Sequence, residues 1–179
     1  MSRNKSPCLQ PPTRFTYDSS EFEYAIYSPS PRFSKELEPI FPNMSVKQRK
    51  ELLVVPVIQK CFHDMAASTP EINRERDEKL DLFVDWGKRV ANRLKGLGMW
   101  ADMMDPASGY PILSPSGALP YPDVQGTIEL MGYETHNVGC CHILLHPRWR
   151  SKIYPSTFFT TAPADLLVRV IDEVLASKA

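Results

Sequence analysis

The octapeptide GCCHILLH, Gly139 to His146, gathers two of the chain's four cysteines (Cys8, Cys61, Cys140 and Cys141) and two of its four histidines. Thiolate and imidazole are ligands for soft and borderline metals, and together they make nucleophile–base pairs. The segment 138–146 reads as a strand, and strand geometry limits what these groups can share. Side chains alternate faces, so Cys140 and Cys141 point to opposite sides. Cys140, His142 and His146 lie on one face, but His146 stands about 20 Å along from Cys140 at ~3.3 Å per residue. One tetrahedral zinc cannot span that distance, and an intrachain metal site would need a loop here instead. Cys141 suits a small apolar strand residue facing the core. Cys140 follows Gly139 and the polar stretch 134–137, at an exposed beginning of the strand where a thiol can meet a partner. At an ordinary thiol pKa of about 8.5, about 3% is thiolate at pH 7, and a soft metal draws the ionisation forward. An inert, merely apolar Cys140 stays open beside this reading.

Other constellations are weaker. Cys140 with His142 or His63 has no local signature of a thiol–base pair. Asp102 and Asp105 could form an acid pair, but Asp105 before Pro106 has the chemistry of a turn cap. Trp100 and Trp149 suit packing, and Arg148, Arg150 and Lys152 suit a solvated hairpin tip. The chain has no GxGxxG, no GxxxxGK[ST], no HExxH and no GxSxG, so nucleotide, zincin and serine-hydrolase chemistries lose their usual signals.

These residues need a scaffold. Residues 22–27 alternate as a strand and Pro29 and Pro31 close it. Phe33, Leu37, Ile40 and Phe41 share one helical face over 32–41. Residues 52–60 (LLVVPVIQK) are β-rich, and Pro56, which cannot donate to a ladder, places this strand at an edge or a bulge. Ser68 and Glu71 have capping-box spacing with Pro70 in the first turn. Leu80, Phe83, Val84, Gly87, Val90, Ala91 and Leu94 then fall on one face of a long amphipathic helix. Residues 100–104 read as a short strand, 105–109 as a turn, and 120–132 as a short helix or loop. The strands 138–146 and 153–161 are expected to pair as a hairpin through residues 147–152. A last helix starts near Pro163, with Leu166, Leu167, Val170, Ile171, Val174 and Leu175 inward. The fold class is α+β: a mostly antiparallel sheet with packed helices.

Composition agrees with a folded domain. The 179 residues are 42% apolar and 23% charged, with 21 basic and 21 acidic side chains. Zero net charge disfavours nucleic-acid binding through bulk charge. The longest apolar run, 52–58, is far short of the ~20 residues of a membrane span. Four cysteines without C-x-x-C match neither common zinc fingers nor thioredoxin motifs, and a disulfide-stapled secreted fold is not expected at this length. No signal-peptide core is present, and the expected setting is reducing and cytoplasmic rather than mitochondrial. Seven of the 17 prolines precede residue 43. Residues 1–20 lack periodicity and are expected to be a disordered, dispensable tail, with one domain over 21–179.

Several segments in order resemble one family. WADMMDPASG (100–109), Gly132-Tyr133, VGCCHILLH (138–146) and STFFTTAPAD (156–165), with Tyr24-Ala25-Ile26, Gln59, Lys60, Asp64 and Met65 upstream, are similar to the C-terminal domain of the MMADHC (CblD) family of intracellular cobalamin trafficking. The resemblance implies a modified nitroreductase-like α+β domain that has lost flavin binding and has no enzymatic activity of its own. It implies an adaptor for CblC (MMACHC), the protein that binds and dealkylates cobalamin, and a link to the methionine synthase pathway. By motif position, Cys140 would supply the thiolate to the cobalt of the cobalamin held by CblC; Cys141 takes no ligand role. The competing readings are a flavin-dependent reductase of nitroreductase ancestry, which would be yellow, and a plain interaction module with inert cysteines.

Overall fold

The computed structural model describes residues 5–139 and 141–178. Alternation does most of the work in the sheet. In β2 (Ser20–Tyr27), Phe22, Tyr24 and Ile26 face one side and Glu23, Ala25 and Tyr27 the other. In β3 (Leu53–Lys60), Leu53, Val55 and Val57 join the first side and Val54 and Ile58 the second. With β1 (Cys8–Tyr17), β4 (Ala101–Met103) and β7 (Ile153–Thr160) they form a five-stranded sheet in the order β1-β2-β3-β7-β4. Its pairings are antiparallel throughout.

One face is covered by α3 (Pro70–Gly96) and α5 (Ala164–Lys178). Phe83, Trp86, Val90 and Leu94 of α3 and Leu167, Val170 and Ile171 of α5 are buried there against Phe22, Tyr24, Val57 and Phe158. The other face carries α1 (Pro31–Leu37), the segment around Ile40 and Phe41, and α4 (Asp123–Met131) over Val54 and Phe159. A short α2 (Val46–Glu51) precedes β3 and starts on a Ser45–Gln48 capping box that the sequence displays.

Four expectations change. Residues 8–17 are strand β1 and belong to the sheet, although 1–20 read as a tail. Pro11 and Pro12 sit where the β1–β2 register shifts, so the strand bulges past its missing donors. β3 is the central strand, not an edge. Its pairs with β2 run from Phe22–Gln59 to Tyr24–Val57 and resume in the same register at Tyr27–Val54, so the ladder lapses around Pro56 without slipping. The cap of α3 is Thr69, whose hydroxyl accepts from the Ile72 N–H at 3.3 Å, rather than Ser68. Finally, the described residues of 138–146 do not pair with β7. β6 (Cys141–Leu145) pairs with β5 (Glu134–Val138) in a separate two-stranded sheet, and β7 is filled on both sides by β3 and β4.

Candidate functional site

The β5–β6 hairpin is built by pairing rather than burial. All five β5 residues are exposed, and in β6 only Leu144 is buried. The register runs from Glu134–Leu145 at the base to Val138–Cys141 at the tip. Opposed residues share a face, so Leu144 and Thr135 look toward the body with His142 and Asn137 beyond them, and Cys141 and Val138 lie on the outer face. Gly139 follows Val138 with φ 63°, a left-handed backbone suited to glycine in a tight connection. Cys140, the sequence-predicted thiolate, lies outside the described residues.

Cys141 is exposed, contrary to the expected inward-facing role. The reason is topological: a strand of a projecting hairpin has no sheet neighbour to bury its distal end. His142, near the tip, is also exposed.

His146, just beyond β6, is buried and fully engaged. Its Nδ1 accepts from the backbone N–H groups of Arg148 and Trp149 at 3.0 and 3.1 Å. That fixes the proton on Nε2, which donates to Glu23 Oε1 at 2.9 Å. The Trp149 indole stacks on the ring at 4.5 Å. Tyr133, just before β5, donates its hydroxyl to the same Glu23 oxygen at 3.3 Å and meets His146 edge-on. Burial first, then the Glu23 charge, pushes the Tyr133 phenol well above its ordinary value. Ile58, Leu144, Trp149 and Ile153 form the apolar cluster at this base.

The other candidates also resolve into structure. His63 is held by Glu75 of α3, Nδ1 to Oε2 at 2.5 Å, while Glu75 accepts the Phe62 and His63 N–H groups as well. Burial raises the Glu75 pKa, but these hydrogen bonds outweigh it and hold the carboxyl below its usual value. Cys61 is buried, and burial with the nearby Glu75 charge pushes its thiol up to about 12, which makes it inert at neutral pH. Asp102 is buried and accepts the N–H groups of Met103, Leu113 and Ser114 at 2.7–2.9 Å, pinning the loop after β4. Asp105 caps the turn through Ala107 N–H and Ser108 Oγ, both 3.0 Å, as expected. Trp100 packs edge-on against Phe41. Arg150 pairs with the exposed Glu134 at the hairpin base, 3.1 Å. Among the described residues no group of three or more His, Cys, Asp or Glu side chains could hold a metal. No helix among them is long and apolar enough to cross a membrane.

Two features escaped the sequence reading. Glu23 and Tyr133 carry the buried network; the signal was an acid at an inward position of a strand otherwise apolar on that face. Asp123, at the start of α4, accepts from Thr157 Oγ1 at 2.5 Å. Loss of solvent around its carboxyl, aided by the Asp105 charge, pushes its pKa up to about 7. An apolar cleft of about 330 Å³ lies between α1 and α4, walled by Phe33, Leu37, Ile40 and Tyr121.

The hairpin thus stands over an apolar base, with Gly139 and Cys141 exposed toward its tip. The model of the family "methylmalonic aciduria and homocystinuria type D protein", MMADHC, matches residues 10–171. The chain belongs to the MMADHC family. It is similar to the cobalamin trafficking protein CblD of Rattus norvegicus, 28% identical over 149 residues, covering 83% of this chain and 49% of that protein. The proteins of the same name from Mus musculus and Homo sapiens are each 27% identical over the same shares. The chain thus spans about half the length of the curated relatives it matches. The matched MMADHC region, residues 10–171, begins inside β1, within the segment that reads as a tail in the sequence.

Proposed function

We propose that this MMADHC-family chain is a non-enzymatic adaptor of cobalamin trafficking in the cytoplasm. It binds a CblC-like protein and supplies the Cys140 thiolate to the cobalt of the cobalamin that partner holds. The observation that carries the reading is the hairpin. Its outer half is exposed on both faces, Asn137 and His142 on one and Val138 and Cys141 on the other. A partner can therefore close around the segment that contains Cys140.

The chemistry needs little else from this chain. Cobalt in cobalamin has an exchangeable axial position, and a soft thiolate suits it. An interprotein ligand requires one accessible cysteine and no cage of ligands. The cargo is held by the partner, so the adaptor contributes the thiol, its direction and a docking surface. The sheet with helices on both faces is compatible with a modified nitroreductase-like fold, and the proposal takes it as one without a flavin.

The test is to mix the protein with CblC-bound cob(II)alamin and record the visible spectrum. New cobalt–thiolate bands with the wild type and with Cys141→Ser, absent with Cys140→Ser, support the reading. A spectrum equal to the sum of the separate components overturns it.

A further inference from the structure

Tyr133 and His146 are the two feet of the hairpin: one residue precedes β5 and the other follows β6. Both donate to a single atom, Oε1 of Glu23, from 3.3 and 2.9 Å. Glu23 itself stands on β2, paired to Ile58 of β3, inside the main sheet. A carboxylate at an inward strand position is costly to bury without partners, and among the described residues the two feet are hydrogen-bond donors to this one. His146 cannot turn away easily, because its Nδ1 is held by the Arg148 and Trp149 N–H groups and its ring is stacked on Trp149. Beyond these feet, Leu144 is the hairpin's one buried strand residue. The hairpin is thus a lever, exposed along β5 and at Cys141 and His142, half-buried at Ile143 and Leu145, whose direction is decided at its base.

We propose that Glu23 is the positioning residue of this hairpin: by accepting from both feet, it fixes the direction in which the tip is presented to the partner. The proposal rests on the adaptor reading above. Glu23 touches neither cobalt nor cobalamin in it and acts only through Tyr133 and His146. A two-stranded ribbon is at best marginally stable alone, so loss of the shared acceptor should loosen the hairpin while β3, α3 and the apolar cores persist.

Two measurements on the full chain test this. The first is amide hydrogen exchange of the protein alone, which needs no partner. Glu23→Leu should speed exchange across 133–146 at least tenfold, with β3 and α3 unchanged. Glu23→Gln keeps an acceptor oxygen and should restore slow exchange. Tyr133→Phe removes one donor with the ring retained; it should give an intermediate effect and serves if Glu23→Leu does not fold. The second is titration of CblC-bound cob(II)alamin. Glu23→Leu should raise the half-saturating concentration about tenfold and leave the saturated cobalt–thiolate spectrum unchanged, because the ligand atom is the same. Glu23→Gln should titrate like the wild type. Unchanged exchange over 133–146 in both Glu23→Leu and Tyr133→Phe overturns the proposal. So does faster exchange with a wild-type titration, which would make Glu23 structural only. If the wild type itself forms no cobalt–thiolate bands, the adaptor reading fails, and the exchange data alone then decide whether Glu23 holds the hairpin.

Discussion

The sequence pattern puts His146 on the same strand face as Cys140, and the structure commits this histidine to the fold. The histidine uses both ring nitrogens inside the protein, so it is committed to the hairpin base and unavailable to a metal. The cysteines are distinguished by substitution. Cys140→Ser replaces a soft thiolate with a hard, protonated oxygen and should remove the cobalt–thiolate spectrum. Cys141→Ser should retain it, and because Cys141 is exposed the change should alter stability by less than about 1 kcal/mol. Ligation consumes a thiolate, so it should strengthen as pH rises toward the ordinary thiol value of about 8.5 and weaken in acid. Asp123 gives an independent prediction. Its folded pKa, raised to about 7, exceeds that of an unfolded aspartate, so the folded state holds this proton more tightly. The resulting stability is complete below about pH 4 and is lost as pH rises through about 7. Asp123→Asn keeps an acceptor for Thr157 and should be more stable than wild type at pH 8, by on the order of 2 kcal/mol. Urea unfolding at a series of pH values checks it; parallel curves for the two proteins would refute the titration.

At the scale of elements, what could be read was what is buried. The stripe Phe83–Gly87–Val90–Ala91–Leu94 named the inward face of α3, and Trp86 joins it. The same logic missed β5, whose residues are all exposed: a strand held by its partner's backbone leaves no apolar alternation to read. It also misplaced β3, because Pro56 argued for an edge while the surrounding run is buried in the middle of the sheet. The ladder tolerates the proline by lapsing locally toward β2. The placement of α3 has a direct test. Phe83 is fully buried against Trp86, at 6.1 Å between ring centroids. Phe83→Ala removes the transfer energy of the ring and leaves a cavity, so it should cost about 3–5 kcal/mol in equilibrium unfolding. A loss below about 1 kcal/mol would contradict that packing.

Across the whole molecule the end of β1 meets the end of α5, which no local pattern revealed. Phe15 of β1 stacks on Phe22 and on Trp86, at 5.0 and 5.7 Å. Tyr17 is buried and bonds Asp85 of α3. Lys178, at the end of α5, reaches Asp18 at 2.6 Å and Asp85 at 3.3 Å and lies 4.3 Å from the centre of the Tyr17 ring. β1 therefore links β2, α3 and α5, and the prolines that made it look like a tail mark its bulges instead. Deleting residues 1–18 should remove this link. The burial of Tyr17 alone is worth roughly 3 kcal/mol, so the truncated protein should lose at least that in urea unfolding. It should also expose the hydrogen-bonding edge of β2 and so raise light scattering with concentration, as unpaired edges do. A truncated protein with an unchanged midpoint and no added scattering would mean that β1 contributes nothing to the fold, returning residues 1–18 to the role of a tail.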